Sequence, residues 1–181
     1  MDAFENLMGM LLRRHGYWTA TSVKVGIDKD QKKTIGRPSS PRWELDLVAY
    51  KGATNEILVI ECKSYLDSSG VLFRNGQFEP VERYKLFSEP ALRDVVLGTL
   101  ASQFTASGQC AATPKVTLCL AAGKVAGGTD RAGMHAHFDQ MGWKLFDEAV
   151  VRDMLVEAAN DGYENDVALV AAKILLRGEA E

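Results

Sequence analysis

"WELDLVAYKGATNEILVIECK", residues 43 to 63, decides how this chain folds. Two runs rich in Val, Ile, Leu and aromatic residues, Trp43 to Tyr50 and Glu56 to Lys63, flank a turn-forming stretch from Gly52 to Asn55, which predicts two strands of one hairpin. Strand side chains alternate between faces, so Glu44, Asp46, Val48 and Tyr50 are expected on one face, with Trp43, Leu45, Leu47 and Ala49 on the other. On the second strand Ile57, Val59, Glu61 and Lys63 share a face. If Lys51 and Glu56 close the hairpin, Asp46 stands opposite Glu61 and Glu44 opposite Lys63. A slip of one residue would place Asp46 opposite Ile60 and mix charged with apolar side chains on both faces, so the convergent register is expected.

That face has an apolar end (Val48, Tyr50, Ile57, Val59) and a charged end, whereas an ordinary solvent face would be polar throughout. Acids gathered beside apolar residues point to a bound cation. Carboxylates with water suit Mg²⁺ or Mn²⁺, and the lack of His and Cys on this face argues against zinc. An ammonium beside such carboxylates can orient an attacking water and stabilise negative charge building on phosphorus.

Working outward, Phe4, Leu7, Met8, Leu11 and Leu12 recur at helical spacing and predict a helix over residues 2 to 15, stopped by Gly16, with Glu5 at the edge of the apolar stripe. Tyr17 to Val25 predicts a strand. A basic loop follows, broken by Gly36, Pro38 and Pro41. From Lys24 to Arg42 it holds six basic residues (Lys24, Lys29, Lys32, Lys33, Arg37, Arg42) against two acids, Asp28 and Asp30. The plain interpretation is a solvated charged loop; the other is a path for substrate phosphates. Residues 64 to 89 form an expected insertion in which Asn75-Gly76 marks a type I′ hairpin turn. Whether that hairpin is a surface elaboration or a gripping or dimerising arm is left open. Pro90 opens a helix to about Ser107, Lys115 to Ala122 is a buried-type strand, and Gly123, Gly127 and Gly128 mark a loop. A helix at 131 to 141, a strand from Trp143 to Phe146, and helices near 148 to 159 and 164 to 176 complete the order.

The chain is thus expected to be α/β, a single domain over residues 1 to 181 with a core at about 4 to 125 and a C-terminal elaboration at about 126 to 181. With 46% hydrophobic and 25% charged residues it can bury a real core, which excludes a disordered chain. No apolar run approaches the ~20 residues of a membrane span. The start lacks a basic leader segment, and three cysteines with no CxxC fit reduced thiols, so a cytoplasmic protein is expected. A net charge of -3 argues against an obligate nucleic-acid coat protein, leaving local basic patches to do any phosphate binding.

Asp46, fourteen intervening residues, then Glu61-Cys62-Lys63 resembles the signature of the PD-(D/E)XK nuclease superfamily, the restriction-endonuclease-like enzymes. The resemblance implies an αβββαβ core with a mixed central sheet flanked by helices, here followed by extra C-terminal helices. It implies a Mg²⁺- or Mn²⁺-dependent nuclease that hydrolyses phosphodiester bonds, with DNA the expected substrate of a restriction, repair or resolvase type. In that family Asp46, Glu61 and the Cys62 main-chain carbonyl would hold metal, Lys63 would position the water, and Glu5 would match an acid that many members carry on the first helix. Gln103 resembles a glutamine found near the site in some subfamilies. Leu45 stands where the motif's name has proline, a position that varies in the family. Glu44 is an extra acid, either a second metal contact or a partner of Lys63. Lys29, Lys32, Lys33, Arg37 and Arg42 are the candidate nucleic-acid contacts. A homodimer would suit a nuclease that cuts both strands. The alternatives are a catalytically inactive module of the same fold that binds nucleic acid or a partner protein, and an ion-pair network on an unrelated α/β fold.

Other signals are weaker. "AAGKVAGGTDRAG" lacks the order of a phosphate-binding loop. His135, His137 and Asp139 alternate in a predicted helix and do not face each other. Cys62, Trp43 and Trp143 fit core or rim packing, and Arg13, Arg14 and His15 suit a helix C-terminus.

Overall fold

Asp2 sets the start of the first helix. The computed structural model describes residues 2–39, 42–127, 129–162 and 164–177. The Asp2 carboxylate accepts the Phe4 N–H (2.8 Å) and the Glu5 carboxylate accepts the Asp2 N–H (3.2 Å), a reciprocal cap that satisfies otherwise orphaned donors. Helix α1 (Ala3–Arg14) ends before Gly16, whose φ of +81° is a left-handed conformation that costs glycine little.

Strands β1 (Trp18–Val25) and β3 (Glu56–Lys63) flank β2 (Trp43–Lys51), and each pairs antiparallel with it. The expected 26–42 loop instead contains a short helix, α2 (Lys29–Thr34). Its cause is local: Asp28 accepts the Asp30 and Gln31 N–H groups while Gln31 reaches back to the Asp28 N–H. Pro41 and Gly128, both expected as breakers, lie outside the described residues. The insertion forms a hairpin, β4 (Leu72–Arg74) and β5 (Gln77–Glu79), turned by Asn75 and Gly76 at φ +51° and +78° as a type I′ turn requires. A 3-10 turn (Val81–Arg83) and α3 (Lys85–Ser88) follow, then α4 (Pro90–Ala106), β6 (Lys115–Ala122), α5 (Thr129–Met141), β7 (Lys144–Phe146), α6 (Glu148–Asn160) and α7 (Val167–Arg177).

The main sheet has five strands in the order β1-β2-β3-β6-β7, with β3, β6 and β7 parallel. Parallel neighbours need a crossover, which α4 and α5 supply. One face is covered by α4, α5 and the β4–β5 hairpin around Val59, Leu100, Leu118 and Phe138. The other is covered by α1, α6 and α7 around Leu11, Leu58, Cys119 and Leu169. The hairpin faces inward rather than forming a free arm: Phe73 and Phe78 are buried, and Phe78 stacks on Tyr84 with ring centroids 4.5 Å apart. Among the described residues no helix is long and apolar enough to cross a membrane.

At its N-terminal end β3 carries a buried acid, Glu56. Burial alone would raise its pKa, but Lys144, which donates to both oxygens at 3.0 Å, holds it below the usual carboxylate range with help from Tyr17 and Lys115. The opposite end of β3 carries Glu61 and Lys63.

Candidate functional site

The β2–β3 ladder has the expected register, from Lys51↔Glu56 to Leu47↔Ile60. It stops there. One residue on, Asp46 uses its side chain in place of a backbone rung: Oδ2 accepts the Cys62 N–H at 2.9 Å. On the other edge of β2 the rung opposite Asp46 is also missing, between Thr21↔Leu47 and Val23↔Leu45, and the facing residue, Ser22, is left-handed at φ +52°. Regular pairing of β2 is thus interrupted on both sides at Asp46.

This interruption corrects the expected role of Glu44. Leu47 and Ala49 pack with α1, but Leu45 and Trp43 pack with Val48 and Tyr50, so strict alternation fails at Asp46. Glu44 is exposed and lies opposite Lys24 on β1, not opposite Lys63. The structure brings Asp46, Glu61 and Lys63 together and leaves Glu44 out.

Lys63 Nζ donates to Glu61 Oε1 at 2.6 Å, and the side chains are only 19% and 21% exposed. Burial pushes the Glu61 carboxyl above its ordinary range; Asp46 and Glu5 add to that, and Lys63 opposes them without cancelling the effect. For Lys63 burial works against the charge, but Glu61 and Asp46 outweigh it and the ammonium is held more firmly than usual. Lys63 is therefore equipped to donate hydrogen bonds and carry charge, not to act as a base. The Cys62 side chain packs on the α1 face, and burial together with Asp46 and Glu5 raises its thiol well above the usual range, so it is no nucleophile.

Glu5 bears electrostatically on Glu61 and Cys62, which puts it within reach of the site, but its carboxylate also caps α1. Among the described residues no three His, Cys, Asp or Glu side chains form a group that could hold a metal ion. The acidic centre is the pair Asp46 and Glu61. Asp46 commits Oδ2 to Cys62 and Glu61 commits Oε1 to Lys63, leaving one oxygen of each outside these two bonds.

Gln103 fastens α4 to the end of β1: its Oε1 accepts the Gly26 N–H and its Nε2 donates to the Lys24 carbonyl, both at 3.2 Å. Both amide functions thus serve the backbone. Of the basic candidates, Arg37 donates to both oxygens of Glu89 at 2.6 and 2.7 Å and lies over Trp43 at 5.7 Å, a structural clamp. Lys29, Lys33 and Arg42 are exposed and Lys32 is half-buried; Lys33 also pairs with Asp30 at 3.2 Å.

Three residues of the insertion reach the site without having been singled out from the sequence. Tyr84 is 1% exposed and its ring centroid lies 6.0 Å from Lys63 Nζ. Tyr65, two residues beyond Lys63, is left-handed at φ +42° and its hydroxyl accepts from Arg83 Nη1 at 3.4 Å. Only the position of Tyr65 just after the Glu-Cys-Lys run could have flagged it; the other two depend on how the insertion folds back.

No family model and no curated protein matches the chain. Among solved structures it is similar to the crystal structure of the protein of unknown function AF1548, at 15% identity and a TM-score of 0.42 over 96% of this chain and 97% of that one.

Proposed function

We propose that this protein is a metal-dependent nuclease of the PD-(D/E)XK type that hydrolyses phosphodiester bonds, with DNA as the substrate. The observation that carries the proposal is the meeting of Asp46 with the Glu61-Cys62-Lys63 segment at the point where two central strands part, Asp46 being fixed by the Cys62 N–H. The element order α1-β1-β2-β3-α4-β6 and the antiparallel-then-parallel sheet agree with the core expected of that superfamily.

The residues present fit a hard divalent cation. Asp46 adds to the electrostatic cost of charging the half-buried Glu61, and each carboxylate keeps one oxygen outside its protein hydrogen bond. Mg²⁺ commonly uses one or two carboxylates, retains water and takes further oxygens from a substrate phosphate, so a third acid is not required. Asp46 and Glu61 would hold it, with the Cys62 carbonyl as a further oxygen. Once bound, Mg²⁺ or Mn²⁺ supplies Lewis acidity, polarising a phosphoryl oxygen and making water more acidic. Lys63 then donates to and orients the attacking water, and its charge faces the negative charge that builds on phosphorus. The exposed Lys29, Lys33 and Arg42 would meet backbone phosphates further along the duplex.

The test is cleavage of supercoiled, linear, branched and single-stranded DNA, and of RNA, with Mg²⁺ or Mn²⁺, alongside Glu61→Ala and Lys63→Ala. Metal-dependent cutting lost in both variants is expected. No cutting of any substrate by the wild type would overturn the enzyme proposal and favour the inactive module.

A further inference from the structure

The candidate site is acidic, with Asp46 and Glu5 both acting on Glu61, yet a nucleic-acid substrate must bring its phosphates against it. The 3-10 turn after the hairpin carries an exposed guanidinium, Arg83, which meets the Tyr65 hydroxyl. Three separate observations tie it to the site. Tyr65, which accepts from Arg83, leaves β3 two residues after Lys63 in a left-handed conformation, an uncommon state for a bulky aromatic residue and one that tends to gather where function fixes it. Tyr84, next in sequence to Arg83, is buried against Lys63, and among the described residues its hydroxyl has no hydrogen-bond partner of good geometry, although the Tyr65 phenol stands beside it. Arg83 itself donates to Tyr65 only at 3.4 Å, the outer limit of a hydrogen bond, which leaves the rest of its five-donor fork for a ligand.

Such an arrangement does little for stability. An exposed guanidinium held by a long contact contributes marginally to folding, and a buried phenol without a well-placed partner costs free energy. It does present a planar cation on Tyr65, a residue that itself bears electrostatically on Lys63, and bidentate recognition of phosphate is what a guanidinium does better than an ammonium. We propose that Arg83, oriented by Tyr65, grips the backbone phosphate next to the bond that is cut, so that the insertion serves as the substrate-positioning wall of the site. This rests on the nuclease proposal above. The ligand chemistry is a phosphodiester backbone, and parallel arms with DNA and RNA of one sequence separate the two sources.

The experiment compares wild type with Arg83→Ala, Arg83→Lys and Tyr65→Phe in two assays. The first is cleavage kinetics with Mg²⁺. The second is binding of a labelled duplex in Ca²⁺ as a function of salt. The expected result for Arg83→Ala is a KM or Kd raised about tenfold or more, kcat changed less than KM, and a log Kd against log salt slope reduced by about one. Arg83→Lys should keep the salt slope but recover only part of the affinity, because it keeps the charge and loses the fork. Tyr65→Phe should give a smaller rise in KM. Unchanged melting temperatures would place these effects in the site rather than in folding. If the wild type cleaves or binds nucleic acid and Arg83→Ala matches it in KM, Kd and salt slope, or changes kcat alone, the Arg83 proposal is overturned and the nuclease proposal stands. If the wild type neither cleaves nor binds DNA or RNA, both fall together.

Discussion

Asp46 and Cys62 are joined by a hydrogen bond from the Cys62 N–H to Asp46 Oδ2 at 2.9 Å, made just beyond the last rung of the β2–β3 ladder. The carboxylate thus has two separable jobs, closing the end of the sheet and contributing charge to the site. An amide oxygen can do the first but not the second. Asp46→Asn should keep a melting temperature near that of the wild type while losing metal-dependent cleavage. Asp46→Ala should be less stable than Asp46→Asn by about 1–2 kcal/mol in urea denaturation, the worth of a hydrogen bond whose buried donor loses its partner. Equal stability of the two variants would show that the bond is not structural.

Gly123 marks where the backbone of β6 presses on the strand end that carries Lys63. Its N–H donates to the Lys63 carbonyl at 2.9 Å, and a Cβ placed there would stand 2.2 Å from the Ser64 carbonyl oxygen. Because that neighbour is backbone, relief requires moving the chain at Ser64, immediately after β3. Gly123→Ala should cost about 1–3 kcal/mol, the usual range for overpacking a close backbone approach. It should also reduce cleavage beyond what the loss of folded protein explains, checked by activity per folded molecule below the melting transition.

The hairpin at 43–63 was legible because its two faces differ at the charged end: a one-residue slip would set Asp46 opposite Ile60 and mix charged with apolar side chains, so one pairing stands out. The same pattern misplaced Glu44. Alternation holds only while the ladder is regular, and the left-handed Ser22 opposite Asp46 interrupts it, a conformation that nothing in a Thr-Ser-Val run announces. The cap of α2 was written in Asp28 and Gln31 but masked by the Gly and Pro residues that follow. Tyr84 and Arg83 reach the site through the folding-back of the insertion, a tertiary event set by Phe73 and Phe78 packing inward. Local spacing carries no trace of that event.

Asp147 gives a pH test independent of the site. It is buried, caps α6 by accepting the Ala149 and Val150 N–H groups, and pairs with Arg131 and His135 at 3.0 Å each. Burial would raise its pKa, but the Val150 N–H, His135 and Arg131 together hold it below the usual carboxylate range. A depressed folded-state pKa means stability that is fully present above the unfolded value of about 3.9 and lost as pH falls through the folded value. Asp147→Ala should therefore be destabilised by about 2 kcal/mol at neutral pH, a cap and a buried partner lost together. The gap between wild type and variant should narrow below about pH 4. A gap that stays constant down to pH 2 would assign the whole cost to packing.

Glu61 has the opposite sign. Burial, Asp46 and Glu5 raise its folded-state pKa, so above the ordinary glutamate value of about 4.3 the folded protein binds more protons than the unfolded chain. Stability contributed by the neutral form is then lost as pH rises through the folded value. A cation held by Asp46 and Glu61, as proposed, would offset that loss, and would do so only when both carboxylates are charged. At pH 7.5, Mg²⁺ at about tenfold above its Kd should raise the melting temperature by about 3 °C, and EDTA should reverse the shift. The shift should vanish in Glu61→Gln and, in the wild type, shrink as pH falls through the raised Glu61 pKa. An undiminished Mg²⁺ shift in Glu61→Gln would locate the ion elsewhere and remove the main physical reason for placing a metal between β2 and β3.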